Sequence, residues 1–296
     1  MAQDELRIEQ TPELTRPVLV AAFRGWNDGA QAASLAAGYL ARLWDADKFA
    51  DVDPEGFFDF QATRPHVSLV EGITRQIDWP ETAFYHAHPR RLSRDVVLLL
   101  GIEPNVRWRT FTELVVGYAH ALGVELVVTL GALLADVPHT RPSPVTGSAS
   151  NPELVQELGL STSRYEGPTG IVGVLHDSCN RAGIPSASLW AAVPHYVSLT
   201  PSPRAAAALC ERLGGLLGIE IETSELNQAA QAYEEQVSQA VAADEETSAY
   251  VEELERRADT IEDEVDLPSG DALAAELTRY LRERETGNGE SGPREQ

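Results

Sequence analysis

Val18-Leu19-Val20-Ala21-Ala22-Phe23-Arg24-Gly25-Trp26-Asn27-Asp28-Gly29 begins with six apolar residues, turns through a polar loop bounded by glycines, and leads into an alanine-rich stretch ending near Trp44. Six uncharged residues in succession suit a strand covered on both faces, the situation of a strand inside a parallel sheet. Asp28 is suited to capping a helix, and the spacing of Leu35, Tyr39, Leu40 and Leu43 predicts that helix over about 29–44. Strand, turn and helix together form the repeating unit of an α/β fold.

The unit recurs. Residues 96–100, 126–130 and 187–193 are runs of the same kind, with helical patterns over about 108–122, 170–181 and 204–217. Thr169 is the predicted cap of the second of these. The turns 25–29 and 101–105 and the segment 131–147 are expected to gather at the carboxyl ends of the strands, where open α/β sheets form ligand crevices. The proline-rich stretch 135–150 reads as a long loop, a class often functional inside compact domains. Between 57 and 88 the texture changes to short runs rich in aromatic and β-branched residues, broken at Arg64-Pro65, Glu71-Gly72 and Trp79-Pro80. These predict two or three antiparallel strands inserted at the sheet edge.

Charge narrows the partners. The chain of 296 residues carries a formal charge of −23, which argues against nucleic acid or an anionic membrane as a direct partner. Residues 221–296 hold 21 acids and 6 bases, net −15, leaving −8 for the rest, so the acidity belongs mostly to the C-terminal part. Lys48 is the sole lysine and sits among acids, a poor candidate for a Schiff base or a phosphate clamp. Cys179 and Cys210 have no CxxC spacing and read as buried thiols of a reducing compartment. Residues 1–16 lack a signal-peptide pattern, and 121–135 is too short and too interrupted by Glu125 to span a bilayer. A soluble, cytoplasmic protein is expected.

Leu226, Ala230, Tyr233, Val237 and Ala240 alternate spacings of four and three, and Val251, Leu254, Ala258, Ile261 and Val265 resume the phase after a break at 244–247. Too few unbroken heptads are present for an intermolecular coiled coil, so a helical extension folded on its own domain is expected. The organisation predicted is an α/β core over 12–220, a helical extension over 221–266 packed on it, and a short helix with a disordered acidic end over 267–296.

Candidate site residues follow from the turns. Gly25, Trp26, Asn27, Asp28 and Gly29 join a buried strand to a helix, a place where backbone N–H groups bind anions. Asp28 already supplies a negative group there, which favours a tight turn over a phosphate site. Glu103, Asn105, Arg107 and Arg109 follow the second strand and offer an acid, an amide and guanidinium groups. An ion pair of Glu103 with one arginine is the structural alternative to catalysis. His139 and Arg141 on the long loop and His195 after the last strand approach the same edge, where a histidine can serve as acid or base near neutrality. No ordered nucleophile, base and orienting carboxylate emerges, so the catalytic residues stay unknown. His86 and His88 lack a third ligand, and neither a metal nor a cofactor is expected.

Arg24-Gly25-Trp26-Asn27-Asp28-Gly29, Gly101-Ile102-Glu103-Pro104-Asn105-Val106-Arg107-Trp108, Gly131-Ala132 with Pro138-His139-Thr140-Arg141-Pro142, Gly167-Pro168-Thr169-Gly170-Ile171 and Pro194-His195-Tyr196 occur in that order. In these five motifs the chain resembles the proteasome assembly chaperone 2 family, and more narrowly its actinobacterial branch, over roughly 12–265. The resemblance implies a three-layer αβα fold similar to nucleoside phosphorylases, which accommodates the mostly parallel central sheet, antiparallel edge insertion and acidic C-terminal helical tail read from the residues. It also implies self-association and a role in guiding proteasome α-subunit assembly. Proteasome-docking members end in a hydrophobic residue, a tyrosine and a final residue of any kind, whereas this chain ends Gly292-Pro293-Arg294-Glu295-Gln296, so docking by that end is not expected. The leading expectation is a non-catalytic homo-oligomer acting through contacts with itself and with proteasome subunits or other cytoplasmic proteins. The alternative is a nucleoside-phosphorylase-like enzyme or small-ligand sensor, using a crevice lined by Gly25, Asn27, Glu103, Asn105, Arg141 and His195.

Overall fold

The strand read first, β2 (Val18–Arg24), lies at the middle of the sheet, with its first six residues buried. A computed structural model describes residues 5–264, apart from 71–72, 150–151 and 164. In it β2 runs parallel to β7 (Val96–Ile102) on one side and β8 (Leu126–Ala135) on the other, Val18 standing opposite Val96 and Leu126. Beyond β8 lies β10 (Ser186–Pro194), also parallel. The four apolar runs of the sequence are therefore the four parallel strands at the centre. Alternate side chains of such strands point to opposite faces. Val18, Val20 and Ala22 pack against α1 (Ala32–Leu43) and α5 (Pro203–Leu217), while Leu19, Ala21 and Phe23 meet α2 (Trp108–Ala121) and α4 (Ile171–Arg181). Two apolar faces, each covered by helices, make the three layers.

The edges of the eight-stranded sheet are antiparallel, its order being β1-β3-β6-β7-β2-β8-β10-β9. From the 57–88 insertion only β6 (Thr82–Ala87) joins this sheet, and the edge is completed by β3 (Asp47–Val52) and β1 (Leu6–Ile8). Asp47, Lys48 and Asp51 break up the apolar run of β3 and conceal it from a hydrophobicity reading. The remaining runs, β4 (His66–Val70) and β5 (Thr74–Asp78), pair with each other as a separate hairpin. At the other edge the segment expected as loop is shortened from both ends. β8 continues through Ala135 in register with β10, and β9 (Val145–Ala149) pairs antiparallel with β10.

Helix starts differ in detail from expectation. A 3-10 turn, Gly29–Gln31, precedes α1, and the Asp28 carboxylate reaches across it to accept from the Ala33 and Ser34 N–H groups at 2.9 and 3.1 Å. Thr169 does not cap α4; its first N–H, from Ile171, is taken by Glu103 at 2.8 Å. A short helix, α3 (Pro152–Leu158), starts at the predicted proline.

After α5 come α6 (Ser224–Val241) and α7 (Glu245–Glu264). α6 lies on α5 and buries Leu226, Ala230, Tyr233 and Val237, and α7 buries Val251 and Leu254. Asp244, in the predicted break, accepts from the N–H of Glu246 and the hydroxyl of Thr247 and so starts α7. The short helix and disordered end predicted over 267–296 lie outside the described residues. Among the described residues no helix is long and apolar enough to cross a membrane.

Candidate functional site

The turn after β2 is held by one carboxylate. Gly25 adopts φ 141°, a backbone open chiefly to glycine, and a Cβ there would stand 2.8 Å from the Cβ of Glu103. Glu103 Oε2 accepts from the Trp26 N–H at 3.2 Å, and Oε1 accepts from Asn27 Nδ2 at 3.0 Å and from the Ile171 N–H at 2.8 Å. Gly170 lets these groups close up, since a Cβ on it would fall 2.2 Å from Asn27 Nδ2. One carboxylate thus ties the end of β7, the turn after β2 and the start of α4. Among the described residues no arginine pairs with Glu103, so this hydrogen-bonded hub replaces the ion pair considered from sequence. Asp28 is buried, and burial pushes its carboxyl above the ordinary value. Its Oδ1 accepts from the first N–H groups of α1, so the turn carries its own acid.

Asn105 and Arg107 face elsewhere. Asn105 Oδ1 accepts from the Asp59 N–H at 2.9 Å and from Thr63 Oγ1 at 3.1 Å, ordering the segment before β4. Arg107, itself at a left-handed φ of 57°, pairs with Glu5 at 2.7 Å and lies 5.1 Å over the Phe57 ring. Arg109 stands in the first turn of α2.

His139, Arg141 and His195 do gather at one edge, but the tail helices cover it. His139 is 3% exposed, its Nδ1 lies 2.8 Å from the Tyr196 hydroxyl and its Nε2 3.0 Å from Ser238 Oγ of α6. Burial lowers its pKa below the ordinary value. Arg141 binds Asp259 of α7 through Nε at 2.6 Å and through a terminal nitrogen at 2.9 Å, with Glu255 at 3.6 Å. His195 Nδ1 stands 3.1 Å from Asp136 Oδ1, and its ring meets Tyr196 and Tyr250 edge-on. The six-residue crevice expected from sequence therefore does not form. Arg141 and His195 belong to the docking of the tail, Asn27 and Glu103 to the turn hub, and Asn105 to a third place.

A cavity of about 390 Å³ opens instead between β8, β9, β10 and α4. Of the predicted residues it takes Trp26, Asn27 and Thr169; Trp190, Tyr165, Ser188 and His176 were not singled out from sequence. The Gly167-Pro168-Thr169-Gly170 motif was the nearest signal. Among the described residues no Asp, Glu, Lys or Arg lines the cavity; Arg164, between the lining residues Ser163 and Tyr165, lies outside them. Two fully covered polar atoms of its lining residues, Asn27 Oδ1 and His176 Nδ1, have no hydrogen-bond partner among the described residues. Burial lowers the pKa of His176, favouring the neutral ring at pH 7. Among the described residues no group of three or more His, Cys, Asp or Glu is placed to hold a metal.

Covered sheet, tail-clamped edge and cavity beside the strand ends define a three-layer α/β protein built on a glycine-rich strand-to-helix turn. The chain belongs to the PAC2 family, whose model matches residues 22–241. It is similar to the crystal structure of a PAC2 family protein from Streptomyces avermitilis, with 49% identity and a TM-score of 0.74 over 79% of this chain and 99% of that one. A proteasome-assembly chaperone homologue from Mycobacterium tuberculosis is 46% identical, with a TM-score of 0.72 over 79% and 99% of the two chains. A Mycobacterium tuberculosis protein of unknown function is 28% identical, with a TM-score of 0.79 over 93% and 96%. Among curated proteins none is significantly similar.

Proposed function

We propose that this chain is a cytoplasmic, non-catalytic protein of the proteasome-assembly-chaperone type, which self-associates and binds proteasome subunits. The 46% identity to a proteasome-assembly chaperone homologue supports the type. The observation that carries the mode of action is the β4–β5 hairpin. All ten of its strand residues are exposed. Its register sets Val67 opposite Ile77 and Leu69 opposite Arg75 on one face, with His66 opposite Asp78, Ser68 opposite Gln76 and Val70 opposite Thr74 on the other, more polar one. Val67, Leu69 and Ile77 are 63%, 60% and 53% exposed, and Ile73 at the tip is 84% exposed. Alternation of apolar and polar residues marks a strand pair with one face meant to be covered. A two-stranded hairpin is marginal by itself in water, and an exposed apolar patch of this kind marks an interaction site.

The hairpin is the contact through which copies associate. The test is sedimentation velocity on the full chain and on the Val67→Asp, Leu69→Asp double variant, with captured proteasome α-subunits as a second readout. The parent is expected to sediment above the 32.2 kDa of one chain, and the variant as a monomer of unchanged circular dichroism. A parent that is monomeric at its highest soluble concentration would remove self-association from the reading. Failure to capture any α-subunit would remove the proteasome.

A further inference from the structure

We infer that a second cavity binds a small organic anion, taking its charge on Arg24 and Arg64 and its flat body on Trp79. The cavity lies between α1, the carboxyl ends of β2 and β7 and the base of the β4–β5 hairpin. This does not rest on the chaperone reading. The volume, about 670 Å³, lies within the range of small-molecule sites, which typically span roughly 300–1,000 Å³. Its position follows from the topology. β2 and β7 are parallel neighbours, and the helices that follow them lie on opposite faces of the sheet, α1 against Ala22 and α2 against Phe23. Open α/β sheets take ligands at the carboxyl ends of such strand pairs. Arg24 and Ile102, the last residues of β2 and β7, stand opposite each other in the register, and both line the cavity. On the α1 side Gly38 leaves room, since a Cβ there would meet nothing within 4 Å. Glycine weakens a helix interior relative to alanine, and what it supplies here is clearance.

The charges of the lining select the ligand. Arg24 alternates along β2 with Ala22, so its side chain lies on the α1 face, the side of the cavity. Arg64 follows Thr63, whose hydroxyl donates to Asn105 Oδ1 at 3.1 Å and so fixes that segment. Both arginines are exposed, and neither has a hydrogen bond or ion pair among the described residues. Arg24 influences the Asp28 carboxyl only at a distance. The acids of the lining are engaged. Glu81 accepts from Lys48 Nζ at 2.6 Å, and Asp78 accepts from Gln76 Nε2 at 3.1 Å and stands opposite His66 in the hairpin. The cavity therefore offers two guanidinium groups, which fork onto carboxylates and phosphates. Trp79 supplies the apolar surface: it is 48% exposed, and Phe60 meets its ring edge-on at 4.9 Å, which holds it in place. The half-buried Tyr85 adds a second ring. Arginines beside aromatic rings suit a molecule that is both flat and anionic.

Thermal unfolding of the full chain tests the assignment, with each compound at about 5 mM and the ionic strength held near about 0.15 M so that screening is constant. Benzoate and phenyl phosphate are the carboxylate and phosphate probes, benzamide is the neutral counterpart and inorganic phosphate the bare anion. At least one organic anion is expected to raise Tm by about 2–4 °C, the effect of roughly a tenfold excess over Kd, while benzamide and inorganic phosphate do not. Which of the two anions binds separates a carboxylate ligand from a phosphate. Arg24→Gln and Arg64→Gln each remove one charge at an exposed position and should each weaken binding at least about tenfold. Gly38→Leu fills the cavity from α1, where an added side chain meets no neighbour, and should abolish the rise at unchanged circular dichroism. No rise with either organic anion would overturn the proposal. So would an equal rise from benzamide or from inorganic phosphate, or a rise that survives the arginine substitutions.

Discussion

Glu103 meets three donors from two other segments with its two oxygens. A carboxylate does this well because every lone pair accepts, and hydrogen bonds to a charged group contribute about 1.5–3 kcal/mol each where they are sheltered. Glutamine at 103 keeps the shape but sets an amide NH2 against donors and leaves only one oxygen to accept. Glu103→Gln is therefore expected to cost about 2–3 kcal/mol, read as a fall in the urea midpoint at unchanged slope. Loss of less than about half a kcal/mol would mean that the hub is incidental. The same residue shows why part of the site escapes a sequence reading. Its partners lie 77 and 68 positions away for Trp26 and Ile171, so spacing carries no trace of the bonds. Gly25 and Asn27 were legible as a tight turn, but not as the other half of a hydrogen-bond hub.

At the scale of elements, the tail is docked by groups that titrate. His139 faces Tyr196 and Ser238, with Glu234, Glu255 and Arg204 close enough to influence its charge. Because burial lowers its folded pKa below the ordinary 6.5, the unfolded chain takes up the proton first as pH falls. Its contribution is complete above about pH 6.5 and is lost on acidification toward the folded value. The loss proceeds at up to about 1.4 kcal/mol per pH unit. His176, lowered in the same direction, adds a similar slope. Urea unfolding of the parent between pH 7 and pH 5 should show falling stability, and His139→Gln should have a shallower fall. An unchanged slope would remove His139 from the linkage. The elements themselves divide by how their residues advertise them. β2, β7, β8 and β10 were legible because uninterrupted apolar runs have few other uses, and α6 because Leu226, Ala230, Tyr233 and Val237 keep a helical spacing. β9 was not, because Val145-Thr146-Gly147-Ser148-Ala149 reads as loop until β10 offers it a ladder. Arg141 looked available for a ligand because its partner Asp259 stands 118 positions away.

For the whole molecule, charge opposes the association that the hairpin favours. Each chain carries −23, so two copies repel as they approach, while Val67, Leu69 and Ile77 gain by leaving water. These two contributions respond oppositely to salt. The Debye length falls from about 10 Å at 0.1 M to about 3 Å at 1 M, which screens the repulsion between exposed acids and leaves apolar burial intact. Self-association through the hairpin should therefore tighten with salt, with Kd falling by about threefold to tenfold from 0.05 to 0.5 M sodium chloride in sedimentation equilibrium. An interface built on ion pairs would loosen over the same range, because screening weakens attraction between opposite charges just as it weakens repulsion. The sign of the salt dependence thus separates an apolar hairpin contact from contacts made by the charged tail helices. In the Val67→Asp, Leu69→Asp variant the tightening should vanish with the association itself. If that variant still associates and does so more weakly in salt, the copies meet through charged surfaces, and the hairpin face must be assigned to a different partner.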